Sequence, residues 1–352
     1  MATPSIQFPQ NYSGEALDYI LQLTAKSNET YKNGLIHVET DVPYKLYLPV
    51  SEMGDVIQDN VATPTSKMGE VGEDGFNEYK ITERLIEPQD FMVYKEFDPA
   101  TTRSYWKGLN SKGNLLFEQL SDKVQADFVS KVLERKNVYI GEAIWKSVKG
   151  GDSASKAETV EGLSKLGTGS LKYFDGAIER LVRSQSDKGV DKAILAGTAK
   201  IDTPEAAFKA FDAVFNKLPD HMRGMYSELE FVCSHTTFLL YDRYLTDKVY
   251  KNANDTELNV AKFKAIKVTP ITGIPEHTIV LSKFGKDISS NLWMGINWAA
   301  PKDEDAFVIN RLAPNSRMYF IQMRMMMDVN WVRLNEIVFY TPYAKEAEVV
   351  AP

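Results

Sequence analysis

Hydrophobic positions follow two rhythms along this chain. Ile36, Val38, Val42, Tyr44, Leu46 and Leu48 fall at even spacings, the period of a strand with one buried face. Tyr79, Ile81, Leu85, Phe91, Val93 and Tyr94 repeat that pattern less regularly. Residues 51–78 between them hold four glycines and little core material. The pattern predicts two strands with a long connection, an extended hairpin too thin to bury its own faces. Isolated hairpins are marginal in water, so such an arm needs a neighbour to lie on. The bland alternative is a surface loop that touches nothing.

The second rhythm is helical. Leu116, Leu120, Val124, Phe128, Val132 and Tyr139 recur at spacings near four, and Phe117 widens the stripe. This predicts a helix over 114–149, with Asn114 as N-cap and Gly150-Gly151 as its stop. Unbroken, it would be roughly 50 Å long at 1.5 Å per residue. Val124, Phe128 and Val132 are expected to face the core. Further helices are expected at 171–185 and 203–218. The latter opens on Thr203 as N-cap with Pro204 at the first position and stops at Leu218-Pro219.

The remainder alternates. Residues 229–234 (LEFVCS) read as a short buried strand leading into a helix from His235. Strands are expected at Ile266–Val268, in HTIVLS after the turn Gly273–Pro275, and from Asn291 onward. Residues 318–341 contain a long strand whose Met323, Met325 and Met327 share one face, the mark of an adaptable core or interface. At the ends, residues 1–34 read as an extended polar stretch followed by a short helix carrying Leu17, Ile20, Leu21 and Leu23, stopped by Asn33-Gly34. From Pro342 on, a loose tail is expected. The class is α+β, with no tandem repeat.

Composition narrows the function. The chain has 352 residues, 43% of them hydrophobic, enough for about two to three domains. The formal net charge of -7 argues against a dedicated nucleic-acid grip, which needs a basic face. Within residues 51–78 seven acidic groups meet the single Lys67, a net of -6. One cysteine, Cys233, makes an internal disulfide impossible. The N-terminus lacks the basic and apolar regions of a signal peptide, and no run approaches 18 apolar residues. A soluble protein made in a cytoplasm is expected.

Chemistry-bearing constellations are scarce. His37, His221, His235 and His277 show no i,i+4 pair and join no cluster with metal spacing. Cys233 and His235 lie two residues apart, but no third group orients the imidazole, so Cys233 reads as a small buried apolar residue. Gly167-Thr168-Gly169 lacks the third glycine of a dinucleotide loop. Asp303-Glu304-Asp305 reads as a solvated acidic turn. No catalytic, cofactor-binding or metal residue is assigned, no cofactor is expected, and the chain reads as not an enzyme.

The order of these pieces resembles the major capsid proteins of tailed bacteriophages, whose fold herpesvirus capsids and encapsulins share. The resemblance is carried by the spine-like helix with IGEAIW near its end, by a helix ending in KLP before LEFVCS and TFLLYDRYL, and by TGIPEHTIVLS, NLWMGIN and NWVRLNEIVFY. Their wording is similar to capsid proteins of phages that infect Bacteroidetes. The resemblance implies an N-terminal arm (1–34), an extended β-hairpin loop (35–108), a peripheral domain with the spine helix (109–200), an axial domain (201–317), and a return to the peripheral domain with a C-terminal tail (318–352). It implies hexamers and pentamers of an icosahedral or prolate capsid around a double-stranded DNA genome.

The same resemblance implies partners and a place. The subunit would partner itself, a separate scaffolding protein, portal and decoration or head-completion proteins, with weak non-specific DNA contact and no membrane. It would reside in the virion after synthesis in the bacterial host cytoplasm. Some members cross-link a loop lysine to a neighbour's asparagine; Lys67 has no identifiable partner here, so no cross-link is assigned. From its charge, the acidic tip, Glu70, Glu73 and Asp74 included, is expected either to meet basic groups such as Arg180, Arg183 and Lys188 next door or to stay solvated and keep subunits apart before assembly. Three other readings stand beside this one: an encapsulin-type nanocompartment shell, a cytosolic enzyme with an unrecognised site, and a β-rich surface adhesin, which the missing signal peptide disfavours.

Overall fold

A computed structural model describes residues 10–11, 21–22, 25–53, 79–98, 122–186, 191–247, 262–299, 306–316 and 318–344. The first strands are β1 (Gln10–Asn11), β2 (His37–Thr40), β3 (Leu46–Met53), β4 (Tyr79–Ile86) and β5 (Gln89–Phe97). The long helix Asp122–Lys146 and the short helix Ala177–Ser184 follow. Then come β6 (Ile194–Gly197), the helix Pro204–Asn216, β7 (Leu229–Ser234) and the helix His235–Asp247. The last stretch is β8 (Lys262–Phe263), β9 (Ile266–Ile271), β10 (Ile279–Lys283), β11 (Leu292–Trp298), β12 (Phe307–Arg311), β13 (Tyr319–Trp331) and β14 (Val338–Tyr340). The mixed class matches the expectation from the two hydrophobic rhythms.

The larger fold unit is organised by β13. Along one edge it pairs antiparallel with β12 through Tyr319–Met323 and with β11 through Met325–Trp331. Its other edge pairs with β5, from Tyr319↔Phe97 to Met327↔Gln89. β11 continues the sheet by pairing parallel with β2. Period two puts Tyr319, Ile321, Met323, Met325, Met327, Val329 and Trp331 on one face, and all are buried. They join one core with Ile140, Ile144 and Trp145 of the long helix. The Trp145 and Trp331 rings meet edge to face at 6.3 Å. Side chains of this size each contribute about 1.5–3 kcal/mol when fully buried, so this layer supplies much of the stability.

A second sheet has the order β6-β14-β10-β7-β9-β8. Phe231, Cys233, Ile279 and Leu281 face a second core with Phe211 and Val214 of the helix Pro204–Asn216. Val232, Val280 and Phe339, on the opposite face, belong to the first core. The sheet is therefore a wall between two cores. That explains why Phe231, Val232 and Cys233 are apolar in succession: the middle of a strand buried on both faces has no polar side to show. The helix Pro204–Asn216 starts where its capping signature places it, with Thr203 Oγ1 accepting from Ala206 N at 3.2 Å.

β3 and β4 form a separate two-stranded ladder, in register from Leu46↔Ile86 to Met53↔Tyr79. The two strands of the expected hairpin are present; most of its connection, residues 54–78, lies outside the described residues.

Three element boundaries differ from the sequence expectation. The long helix ends at Lys146, short of Gly150-Gly151. There Val148 N donates to Leu171 O at 3.1 Å and Gly150 N to Lys172 O at 3.0 Å, so a tertiary partner captures the chain first. Residues 171–176, expected as helix, brace that end instead, and helix begins at Ala177. Gly176 makes the approach feasible: a Cβ there would lie 2.9 Å from Ser147 N. The start of the expected tail is not loose, since Tyr343 and Ala344 are buried in the main core and Tyr343 O accepts from Lys156 N at 2.8 Å; residues 345–352 lie outside the described residues. Residues 114–121, and the side chains of Val124 and Phe128, lie outside the described residues; Val132 packs half-buried against the main core.

Candidate assembly site at the root of the hairpin

The outer face of the large sheet carries a mixed row, polar at four of six positions on β13. On β13 it runs Phe320, Gln322, Arg324, Met326, Asp328 and Asn330, alternating with the buried inner residues. At its far end the row becomes a saddle for the hairpin. Asp328 Oδ2 accepts from Glu87 N at 2.9 Å. Asn330 Nδ2 donates to Leu85 O at 2.8 Å, and Asn297 Nδ2 to Val42 O at 3.1 Å. Asp41 N donates to Ile296 O at 3.1 Å, and Asp41 takes a positive φ of 66°. Both chain segments entering the hairpin are thus tied to β11 and β13 by directional bonds.

The apolar part of the saddle includes Gly295. Gly295 of β11 sits opposite Asp328. A Cβ on it would lie 2.9 Å from Ile86 Cγ2 and 3.4 Å from Val42 Cγ2. Glycine in a strand interior often marks a close approach of another segment, and here Ile86 and Val42 rest on that position. Lys45 and Glu87 close the root with an exposed pair at 2.7 Å.

Beyond the saddle the root is open. Tyr44 is 81% exposed and Tyr47 56% exposed. A depression of about 780 Å³ beside it is lined by Pro43, Tyr44, Pro88, Asp90, Tyr173 and Trp298, among others. Large aromatics left in water at the base of a thin arm are the feature expected of a surface covered on association.

Charge is handled differently on the body. Asp328 is almost fully buried and pairs with Arg180 at 2.7 Å. Burial pushes its carboxyl up from the usual range, against the pull of Arg180. Glu179, equally inaccessible, is raised by burial too; it accepts from Ala154 N at 2.6 Å and Ser153 Oγ at 2.8 Å and pairs with Arg183 at 3.0 Å. Arg180 and Arg183, named as receivers for a neighbour's acidic tip, are therefore engaged within the subunit. Lys188 and the tip residues Lys67, Glu70, Glu73 and Asp74 lie outside the described residues.

The other sequence candidates are dispersed. Cys233 packs in the second core and burial raises its thiol. His235 opens the following helix, half exposed, 3.7 Å from Glu29. Gly167 and Gly169 both take positive φ in a turn, and a Cβ on Gly167 would strike Val148 at 2.5 Å. Asp303-Glu304-Asp305 lies outside the described residues. Among the described residues no group of three or more His, Cys, Asp or Glu is placed to hold a metal, and no helix is long and apolar enough to cross a membrane.

The sequence reading missed the saddle. Its hydrogen-bonded partners are 241 to 255 positions apart in the chain, so no local pattern joins them. Two signals were present: a glycine inside NLWMGIN, and Asp328 with Asn330 at period two in the apolar second half of β13.

No protein-family model matches the sequence, and no curated protein does. Solved structures do resemble it. The satellite phage P4 procapsid, including its size determination protein, aligns over 98% of this chain and 95% of that one, with TM-score 0.52 and 12% identity. The capsid of an empty GTA particle covers 98% and 96%, with TM-score 0.52 and 9% identity. The capsid of cyanophage A-1(L) covers 90% and 93%, with TM-score 0.55 and 10% identity. The likeness establishes the fold: this chain is built as those capsid subunits are, as the order of its pieces implied.

Proposed function

We propose that this chain is the major shell subunit of a tailed-phage capsid. Copies of it form hexamers and pentamers of an icosahedral or prolate shell around double-stranded DNA. The observation that carries this reading is the fold, shared over at least 90% of both chains with three capsid subunits. The hairpin root, with exposed aromatics above a polar saddle, supports it, because a thin ladder of this kind gains its stability from a neighbour.

The role assigned is structural and non-enzymatic, and its place is the virion. Its first partner is itself; scaffolding, portal and decoration proteins are the further partners such a shell calls for. Contact with DNA is weak and non-specific on this reading. Taking the tip's -6 from the total of -7 leaves about -1 for the rest of the subunit, which neither grips nor strongly repels phosphate. The division into arm (1–34), extended loop (35–108), peripheral domain (109–200 with 318–352) and axial domain (201–317) is part of the proposal. On that division β6 and β14 complete the axial sheet from the peripheral side.

Electron microscopy of the purified protein tests the reading. Closed particles of tens of nanometres are expected, and packaged DNA or a portal vertex in particles from infected cells separates a virion from a cargo compartment. The informative variant replaces residues 54–78 with Asn-Gly, which keeps the Met53↔Tyr79 pairing and closes a two-residue turn. It should give soluble subunits that do not close shells. Wild-type protein that never closes would overturn the shell reading; normal shells from the short-loop variant would remove the hairpin from it.

A further inference from the structure

One carboxylate joins three elements. Asp328, on β13, gives Oδ1 to Arg180 of the helix Ala177–Ser184 and Oδ2 to the Glu87 amide in the two-residue link between β4 and β5. Arg180 is steadied by a second bond, Nε to Asp175 O at 3.2 Å. The neighbouring charges are turned elsewhere: the Glu87 side chain to Lys45, and Glu179 to Ser153, Ala154 and Arg183.

The ladder of β3 and β4 shares no strand pairing with either larger sheet among the described residues. Among the described residues its angle to the body is held by the saddle and by the two-residue link into β5, which is itself paired to β13. We propose that Asp328 is a latch: it fixes the hairpin's angle by bridging Arg180 and the Glu87 amide, and its release lets the hairpin swing about Glu87–Pro88 while the large sheet stays intact. The pivot on the entering side is already present in Asp41, whose positive φ bends the chain and whose amide stays on Ile296 O. A buried carboxylate is a costly way to fill space, and an apolar residue of similar size would pack the site more cheaply. What the ion pair adds is direction. It also couples the hairpin to a helix on the body, so a displacement of that helix is transmitted to the arm.

The consequence for shells rests on the proposed assembly; the latch itself does not. Two variants test it. Asp328→Asn keeps an acceptor and removes the charge. The double variant Asp328→Asn with Arg180→Met removes both charges, so no unpaired ion is left buried. Hydrogen exchange on the unassembled subunit reads the latch directly. In the folded double variant the amides of Glu87 and of β3 and β4 should exchange at least tenfold faster, while those of β11 and β13 stay within twofold of wild type. Unchanged hairpin exchange in either folded variant overturns the latch, and so does a uniform rise across the subunit, which marks Asp328 as a general stabiliser. In assembly, the variants should give shells of wider size distribution. If wild type itself does not assemble, the shell reading fails while the exchange result still decides the latch.

Discussion

The two faces of β13 do different jobs with the same backbone. Inward, seven alternating side chains from Tyr319 to Trp331 are buried against a helix and a second sheet. Outward, Asp328 and Asn330 hold the hairpin by hydrogen bonds, and Ile86 and Val42 rest above Gly295. Apolar burial is strong but non-directional, so it fixes the body without fixing an angle. Hydrogen bonds are individually modest, about 0.5–1.5 kcal/mol net, but they specify geometry. The inner face holds the subunit together, and the outer face aims its arm.

The largest effect should come from breaking the inner face. Trp331 is fully buried, meets Trp145 edge-on, and donates from Nε1 to Ala177 O at 2.9 Å. Trp331→Ala should cost about 3–5 kcal/mol in urea unfolding of the unassembled subunit. A cost below 1 kcal/mol would mean this face is not the stabilising layer.

How much of this division was legible beforehand depends on the range of the forces involved. Thr203-Pro204 announced a helix start because capping is local chemistry. Met323, Met325 and Met327 announced a shared face because strand period is local geometry, and all three are buried. The end of the long helix was misplaced because the partners that capture Val148 and Gly150 come from residues 171–172, a tertiary effect. Tyr343 escapes the sequence because its partner, Lys156, is far more remote still. The saddle failed for the same reason, although Gly295 inside a strand was a usable hint.

A smaller effect tests a buried charged group on the inner side. Lys136 of the long helix is buried, with Nζ 3.9 Å from Met323 Sδ, and burial pushes its pKa down from 10.5 to about 7. Between those values the unfolded chain holds a proton that the folded chain has released. Folding stability should therefore rise as pH climbs above 7, and the cost of carrying the charge is complete below it. Lys136→Met should flatten that rise and stabilise the subunit at pH 6 by about 1–4 kcal/mol, as when other buried ions give way to apolar residues. An undiminished slope in the variant would place the titration on another group.

The smallest effect is the most diagnostic, because it inserts one methyl group into the outer face. In Gly295→Ala the new Cβ would lie 2.9 Å from Ile86 Cγ2, closer than side chains tolerate, and 3.4 Å from Val42 Cγ2. Overpacking of this kind costs about 1–3 kcal/mol when the neighbours are fixed. The hairpin is not fixed as the core is: it can tilt away from β11 by giving up the bonds from Asn330 and Asp328. Relief by tilting predicts a stability loss near the bottom of that range, with faster amide exchange confined to the hairpin root. Relief by deformation of the sheet predicts a loss near the top, with exchange rising in β11 and β13. Adding Ile86→Ala removes the clashing Cγ2, so under the first outcome the double variant should recover the exchange rates that Gly295→Ala lost. If the double variant is merely the sum of its parts, the two residues do not meet as described, and the socket is not what seats the arm.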